Sequence, residues 1–162
     1  MPIDPQQPTP AATQHEVDPI GFLLLPQFPI YALILALESL RVANQNAGRR
    51  LFSAHLFSVD GEPVAAGNGM ALVPERRIAE VPFFPTVIVC AGNEPTQHLG
   101  KALLNWLRRL ERHGALLGAL DTGSFALAAA DCSTATRRPC TGKPSRCSAS
   151  TTRRSRRASS ST

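Results

Sequence analysis

The stretch Gly114–Ala130, GALLGALDTGSFALAAA, decides how this chain reads. Ala115–Leu120 is an apolar run of strand length, which reads as buried. Asp121-Thr122-Gly123 is a sharp turn, and a small-residue helix follows from Ser124. Open α/β sheets build their sites at the carboxyl edge, where a strand passes through a tight turn into a helix. In hydrolases with a nucleophile elbow, that turn holds a Ser or Cys in the open. This chain has Asp121 there. A carboxylate accepts hydrogen bonds from a ligand, but it does not supply the thiolate or alkoxide chemistry of such an elbow. Asp121 reads either as a ligand contact or as a turn residue bonded to its own following backbone.

Working back from that stretch, the pattern repeats. Leu99, Leu103, Trp106, Leu107 and Leu110 recur at helical spacing, with Lys101, Arg108, Arg109 and Arg112 off the stripe. Thr96 is placed to cap that helix, and Gly114 is placed as the residue just past its end. Thr86–Cys90, TVIVC, is β-branched and apolar, the strongest parallel-strand signal in the chain. It runs into the loop Ala91-Gly92-Asn93-Glu94-Pro95, whose Gly92 and Asn93 read as turn residues or as ligand contacts at the carboxyl edge. Pro63–Pro74 holds two short β-prone runs around Gly67-Asn68-Gly69, a hairpin beside the main sheet. Leu51–Val59 alternates loosely and stops at Asp60-Gly61. At the start of the fold, Ile20–Leu25 (IGFLLL) reads as a strand covered on both faces, ended by Pro26 and Pro29. Ala32–Asn44 follows as a nearly all-apolar helix packed on the sheet. The order implies one α/β domain with a mostly parallel sheet and helices on both faces.

The ends of the chain differ from this middle. Met1–Pro19 is a disordered leader by composition, with four prolines in its first ten residues. It lacks the basic start and apolar core of a signal peptide. No apolar run approaches the roughly 20 residues needed to span a bilayer. A soluble, cytoplasmic protein with reduced thiols and no membrane partner is therefore expected.

The net charge of +5 belongs entirely to the tail. Residues 1–130 carry nine Lys or Arg against eleven Asp or Glu, whereas residues 131–162 carry eight basic residues against Asp131 alone. The tail holds 14 Ser or Thr and no Val, Ile, Leu, Met, Phe, Tyr or Trp. It reads as a disordered basic tail, as a nucleic-acid-binding arm, or as out-of-frame translation. The last fits best, because the helix from Ser124 stops being apolar at Asp131 with no visible cap. With one choice of synonymous codons, the shifted frame of DCSTATRRPCTGK reads LLDGY and then LHWE. Cys90, in an apolar run, reads as a small core residue. No CxxC pair occurs, and His15, His55, His98 and His113 are scattered, so no metal and no cofactor is expected. Trp106 lies on the helix stripe as a core or dimer contact, and Glu38 is spaced to pair with Arg41.

Four motifs in order, IGFLLLPQF (Ile20–Phe28), ALESLRVAN (Ala36–Asn44), AGNEP (Ala91–Pro95) and GALDTGSFALAAA (Gly118–Ala130), resemble the amino-terminal sensor domain of AraC/XylS-type transcription regulators. That domain is of the class I glutamine amidotransferase-like, ThiJ/PfpI type. The resemblance covers about residues 20–130. It implies a flavodoxin-like sandwich that binds a small nitrogen-containing metabolite, followed in an intact relative by two helix-turn-helix motifs that bind DNA. Residues 131–162 supply neither amphipathic helix nor recognition helix, so the resemblance implies a regulator without its DNA-binding half and a sheet incomplete at its C-terminal end. Such a sheet leaves an edge and a helix face open, which invites aggregation.

Catalytic relatives carry Cys at the elbow, commonly followed by His, with a Glu near the start of the first helix. Aligned by motif, Asp121 stands at the Cys position and Thr122 at the His position, and no carboxylate lies between Asp18 and Glu38. The resemblance therefore implies a sensor and not an enzyme, with no catalytic residue and with Asp121, Thr122, Gly92 and Asn93 as ligand-contacting residues. A metabolite would bias the paired DNA-binding domains of an intact relative; a homodimer is one assembly open to it, and the sequence does not fix the oligomeric state. The alternatives are a ThiJ/PfpI-type amidase or glyoxalase, or nucleic-acid binding through the tail.

Overall fold

A computed structural model describes residues 16–132. Residues 1–15 and 133–162, which hold most of the expected 1–19 leader and 131–162 tail and so most of the expectations of disorder, DNA binding and altered frame, lie outside the described residues; Asp18 and Pro19, expected in the leader, instead open the first strand.

Among the described residues, seven strands and three α-helices follow one another. They are β1 (Asp18–Leu24), α1 (Ile30–Asn46), β2 (Phe52–Ser58), β3 (Val64–Ala65), β4 (Ala71–Leu72), β5 (Arg76–Arg77), β6 (Thr86–Ala91), α2 (Lys101–Arg112), β7 (Leu116–Asp121) and α3 (Gly123–Ala129). Five strands form one sheet in the order β5-β2-β1-β6-β7, and every pairing in it is parallel. β3 and β4 form the expected antiparallel hairpin, with Val64 opposite Leu72. The chain moves from β1 to β2 on one side and returns to β6 on the other. The topological switch point, where α/β sheets form clefts, therefore lies between β1 and β6.

The two-residue periodicity of the strands sorts side chains into two cores. Leu23, Leu25, Val87, Val89, Ala91 and Leu117 pack with Leu103, Trp106, Leu107 and Leu110 of α2 and Ala126 and Leu127 of α3. On the opposite face Phe22, Leu24 and Cys90 pack with Leu33 of α1 and with Val64 and Ala66 of the hairpin. The stripe read from α2 is thus its buried face, and Trp106 is core, its indole N–H donating to Val81 O at 2.7 Å. Gly114 sits past the end of α2 at φ +84°, and the amides of Gly114 and Ala115 close onto Glu111 O and Leu110 O.

Four further expectations need correction. The helix α2 is capped by Gly100 and not by Thr96, which lies in the preceding 3₁₀ turn Pro95–His98. Pro95 favours that tighter turn by starting a helical segment early. The helix α1 packs on the sheet by one narrow face. Only Leu33 is fully buried, while Tyr31, Ile34 and Leu35 are exposed. Its apolar residues run all round the helix, but a single layer of sheet can cover only one side. The run Ala115–Leu120 is not buried throughout: β7 is the sheet's edge strand, and Leu116 is 50% exposed. The short edge strand β5, two arginines in a row, carries no apolar alternation and was invisible to pattern reading.

The fourth correction concerns Asp131. It adopts φ +54°, its amide bonds to Ala128 O at 3.0 Å, and the Cys132 amide bonds to Leu127 O at 2.9 Å. This pair is a Schellman cap, in which Asp replaces the more usual Gly at the left-handed position. Arg108 adds donors to Ala129 O and Ala130 O from α2. The helix therefore has a structured end, and buried Cys132 belongs to the folded body.

Candidate functional site at the carboxyl edge of the sheet

Three neighbouring strands end in the same unusual way. After β1, Gln27 has φ +65°; after β6, Glu94 has φ +50°; at the end of β7, Asp121 has φ +52°. L-residues avoid this left-handed region, and each instance costs on the order of 1 kcal/mol. Such strain persists where the surroundings fix it, and it collects at ligand clamps and elbows. Asp tolerates the conformation better than Gln or Glu because its short side chain can bond locally. The strand–turn–helix at Asp121 thus has the backbone of a nucleophile elbow without a nucleophile.

The turn is closed by contacts between distant segments. The Thr122 hydroxyl donates to Gly92 O at 2.5 Å, tying the β7 elbow to the β6 loop. A Cβ on Gly92 would lie 1.9 Å from Gln27 O, and one on Gly123 would lie 2.1 Å from Val89 O. Both glycines are therefore required by close backbone approach, not by turn conformation. The Gln27 amide bonds to Ala65 O at 2.8 Å, and the Gly67 amide bonds to Phe28 O at 3.1 Å. The β3–β4 hairpin is thereby fastened beside the same edge.

The four expected contact residues separate into two kinds. Asp121 and Asn93 are exposed at the ends of β7 and β6. Gly92 is buried and Thr122 is half-buried with its hydroxyl occupied by Gly92 O. Sequence reasoning missed Gln27 altogether. The only signal it offered was its place between Pro26 and Phe28 at a strand end.

Other polar groups fall into structural roles. The Cys90 thiol is buried against α1, and loss of solvent pushes its pKa up to about 12. Glu38 receives Arg41 Nε at 2.8 Å on the surface of α1, and this guanidinium lowers its carboxyl pKa. His55 is held between Glu75 (Nδ1, 2.9 Å) and Ser53 (Nε2, 3.1 Å) and fastens the chain near β5. Among the described residues, no group of three His, Cys, Asp or Glu is placed to hold a metal ion. A cleft of about 320 Å³ lies along α3, lined by Ser124, Phe125, Ala128 and Cys132.

The fold is that of ThiJ/PfpI-like α/β proteins. A ThiJ/PfpI family protein from Pseudomonas syringae superposes with a TM-score of 0.57 at 15% identity, covering 80% of this chain and 53% of that one. An AraC family transcriptional regulator from Pseudomonas putida superposes with a TM-score of 0.63 at 27% identity, covering 70% of this chain and 61% of that one. No family model matches the sequence.

By sequence, the chain is 42% identical over 109 residues to the HTH-type transcriptional regulator CdhR of Pseudomonas aeruginosa, covering 67% of this chain and 32% of the relative. It is 40% identical over 111 residues to GbdR of the same species, covering 68% and 30%. The described part therefore has a ThiJ/PfpI-like fold and is similar to a segment of HTH-type and AraC-family transcriptional regulators. The chain spans about a third of the length of the curated relatives it matches.

Proposed function

We propose that this domain senses a small metabolite for an AraC-type transcription regulator and performs no covalent catalysis. The observation that carries this reading is Asp121. It occupies the strained elbow at φ +52°, it is exposed, and its carboxylate has no hydrogen-bond partner among the described residues. An ionised carboxylate is an acceptor only, so it suits a ligand group bearing N–H or O–H donors. Asn93, exposed on the neighbouring strand end, supplies both a donor and an acceptor. Thr122 and Gly92 act by shaping the turn. Because the curated relatives are transcription regulators, binding that shifts a conformational equilibrium is favoured over turnover. DNA, a second subunit and a cytoplasmic location belong to this same proposal. Among the described residues, no helix is long and apolar enough to cross a membrane.

The test is thermal-shift screening of the chain against small nitrogen-containing metabolites, repeated with Asp121→Ala and Asp121→Asn. A hit should be lost in Asp121→Ala and weakened in Asp121→Asn, which keeps the shape without the charge. Binding unchanged in both variants would exclude Asp121 from the site. Amide or glyoxal turnover that disappears in Asp121→Ala would overturn the non-catalytic reading in favour of the enzyme alternative.

A further inference from the structure

Beside β2 and β5 the sheet is bordered by a stretch without an α-helix. Ile78–Glu80 is a single 3₁₀ turn, and residues 81–85 run on as irregular chain into β6. A cleft of about 250 Å³ lies between this stretch and the two strands. Its walls are held in place. Phe84 stands edge-on to Phe57, with ring centres 5.0 Å apart, and His55 meets the same ring at 5.5 Å. The His55 ring is fixed at both nitrogens, by Glu75 and Ser53. Pro82 stiffens the backbone between Val81 and Phe83. Phe83 lines the cleft yet is 47% exposed, which leaves a ring-sized piece of apolar surface open to a ligand.

The charged groups of the cleft are paired with one exception. Glu75 faces His55 Nδ1 at 2.9 Å, and Glu80 faces Arg77 Nε at 2.9 Å. Arg76 lines the same cleft and makes no hydrogen bond or ion pair among the described residues. A guanidinium stays charged, and its planar fork matches a carboxylate. The volume suits one ring with a short substituent, since it falls below the roughly 300–1,000 Å³ of sites for larger ligands. We propose that this cleft binds a small aromatic carboxylate, with its ring against Phe83 and its carboxylate on Arg76. The cleft shares no residue with the strand ends around Asp121, so this inference stands apart from the sensor reading.

The chain carries its own reporter. Trp106 is its one tryptophan, and the indole N–H donates to the carbonyl of Val81, a residue of the cleft wall, at 2.7 Å. The experiment titrates the full chain with benzoate, benzyl alcohol and benzylamine, following Trp106 emission and the NMR shifts of backbone amides. Benzoate should saturate both signals, with the shifts centred on residues 75–84. Benzyl alcohol should bind on the order of tenfold more weakly, because it lacks the charge-assisted bond, and benzylamine should bind weakest. Arg76→Gln should erase the preference for benzoate over benzyl alcohol, and Phe83→Ala should weaken both. Both side chains are exposed, so the circular dichroism spectrum should stay that of the folded protein. Benzoate that does not bind saturably would overturn the proposal. So would shifts centred elsewhere, benzylamine that binds as tightly as benzoate, or a benzoate affinity that Arg76→Gln leaves unchanged.

Discussion

Replacing Gly123 by alanine sets local propensity against tertiary contact with opposite signs. Gly123 is the first residue of α3, and helix propensity alone credits Gly→Ala with a gain of up to about 1 kcal/mol. The structure denies it the room. The new Cβ would sit 2.1 Å from Val89 O and 2.9 Å from the Val89 carbonyl carbon, where ordinary contact begins near 3.4 Å. Both neighbours are main chain in the buried strand β6, so no side-chain rotation relieves the clash. The elbow and the strand must separate by on the order of 1 Å, which disturbs packing in a core that tolerates little void.

Overpacking of side chains costs about 1–3 kcal/mol. A clash with fixed backbone belongs at the top of that range, so the net loss should be about 3 kcal/mol. With a urea slope of about 1–3 kcal/mol/M for a small domain, the midpoint should fall by at least ~1 M. Gly118→Ala is the matched control on the adjacent strand, because its Cβ would meet only Ile88 Cγ1 at 3.6 Å. It should leave stability unchanged or raise it by less than about 1 kcal/mol. If Gly123→Ala melts with or above the wild type, the close approach of elbow and β6 is wrong, and so is the geometry of the site.

Two further outcomes follow from the same packing. Thr122→Val keeps the shape but removes the 2.5 Å bond to Gly92 O; it should cost about 1–3 kcal/mol in urea denaturation because the part-buried carbonyl loses its donor, whereas Thr122→Ser should cost less. The Cys90 thiol has its pKa raised from 9.0 to about 12 by burial, so native protein should resist iodoacetamide at Cys90 until it unfolds. The sign of the linkage is fixed by that shift: stability from the neutral buried thiol is intact below pH 9 and declines from there as pH rises toward 12. A Cys90→Ala variant should flatten that alkaline slope but leave the part due to Cys132, whose thiol burial raises to about 11.

Much of the fold was legible in the sequence because much of it is local. The β-branched run Thr86–Cys90, the stripe Leu99–Leu110 and the glycine at Gly114 each specify an element through periodicity or a backbone requirement carried by neighbouring residues. The elbow was legible for the same reason, since apolar run, turn and small-residue helix are contiguous. The cap at Asp131 was not. An aspartate in the left-handed position gives no composition signal like that of glycine, and its role depends on Leu127 and Ala128 carbonyls being free. Nor did Gln27 announce itself, because the backbone it lies against is that of Gly92, far along the chain.

What the sequence alone determined is the succession of elements, the parallel character of the sheet and the absence of a nucleophile at Asp121. All of these follow from residue type and spacing of a few positions. Only the tertiary structure decided that β7 is an edge, that α1 keeps one face bare, and that Thr122 locks onto Gly92 while Gly92 and Gly123 are held against Gln27 and Val89. These outcomes depend on where strands lie across the sheet, and the sheet order β5-β2-β1-β6-β7 brings together residues dozens of positions apart. No local periodicity encodes such a meeting, because it is set by which backbones approach once the two apolar faces of the sheet are buried.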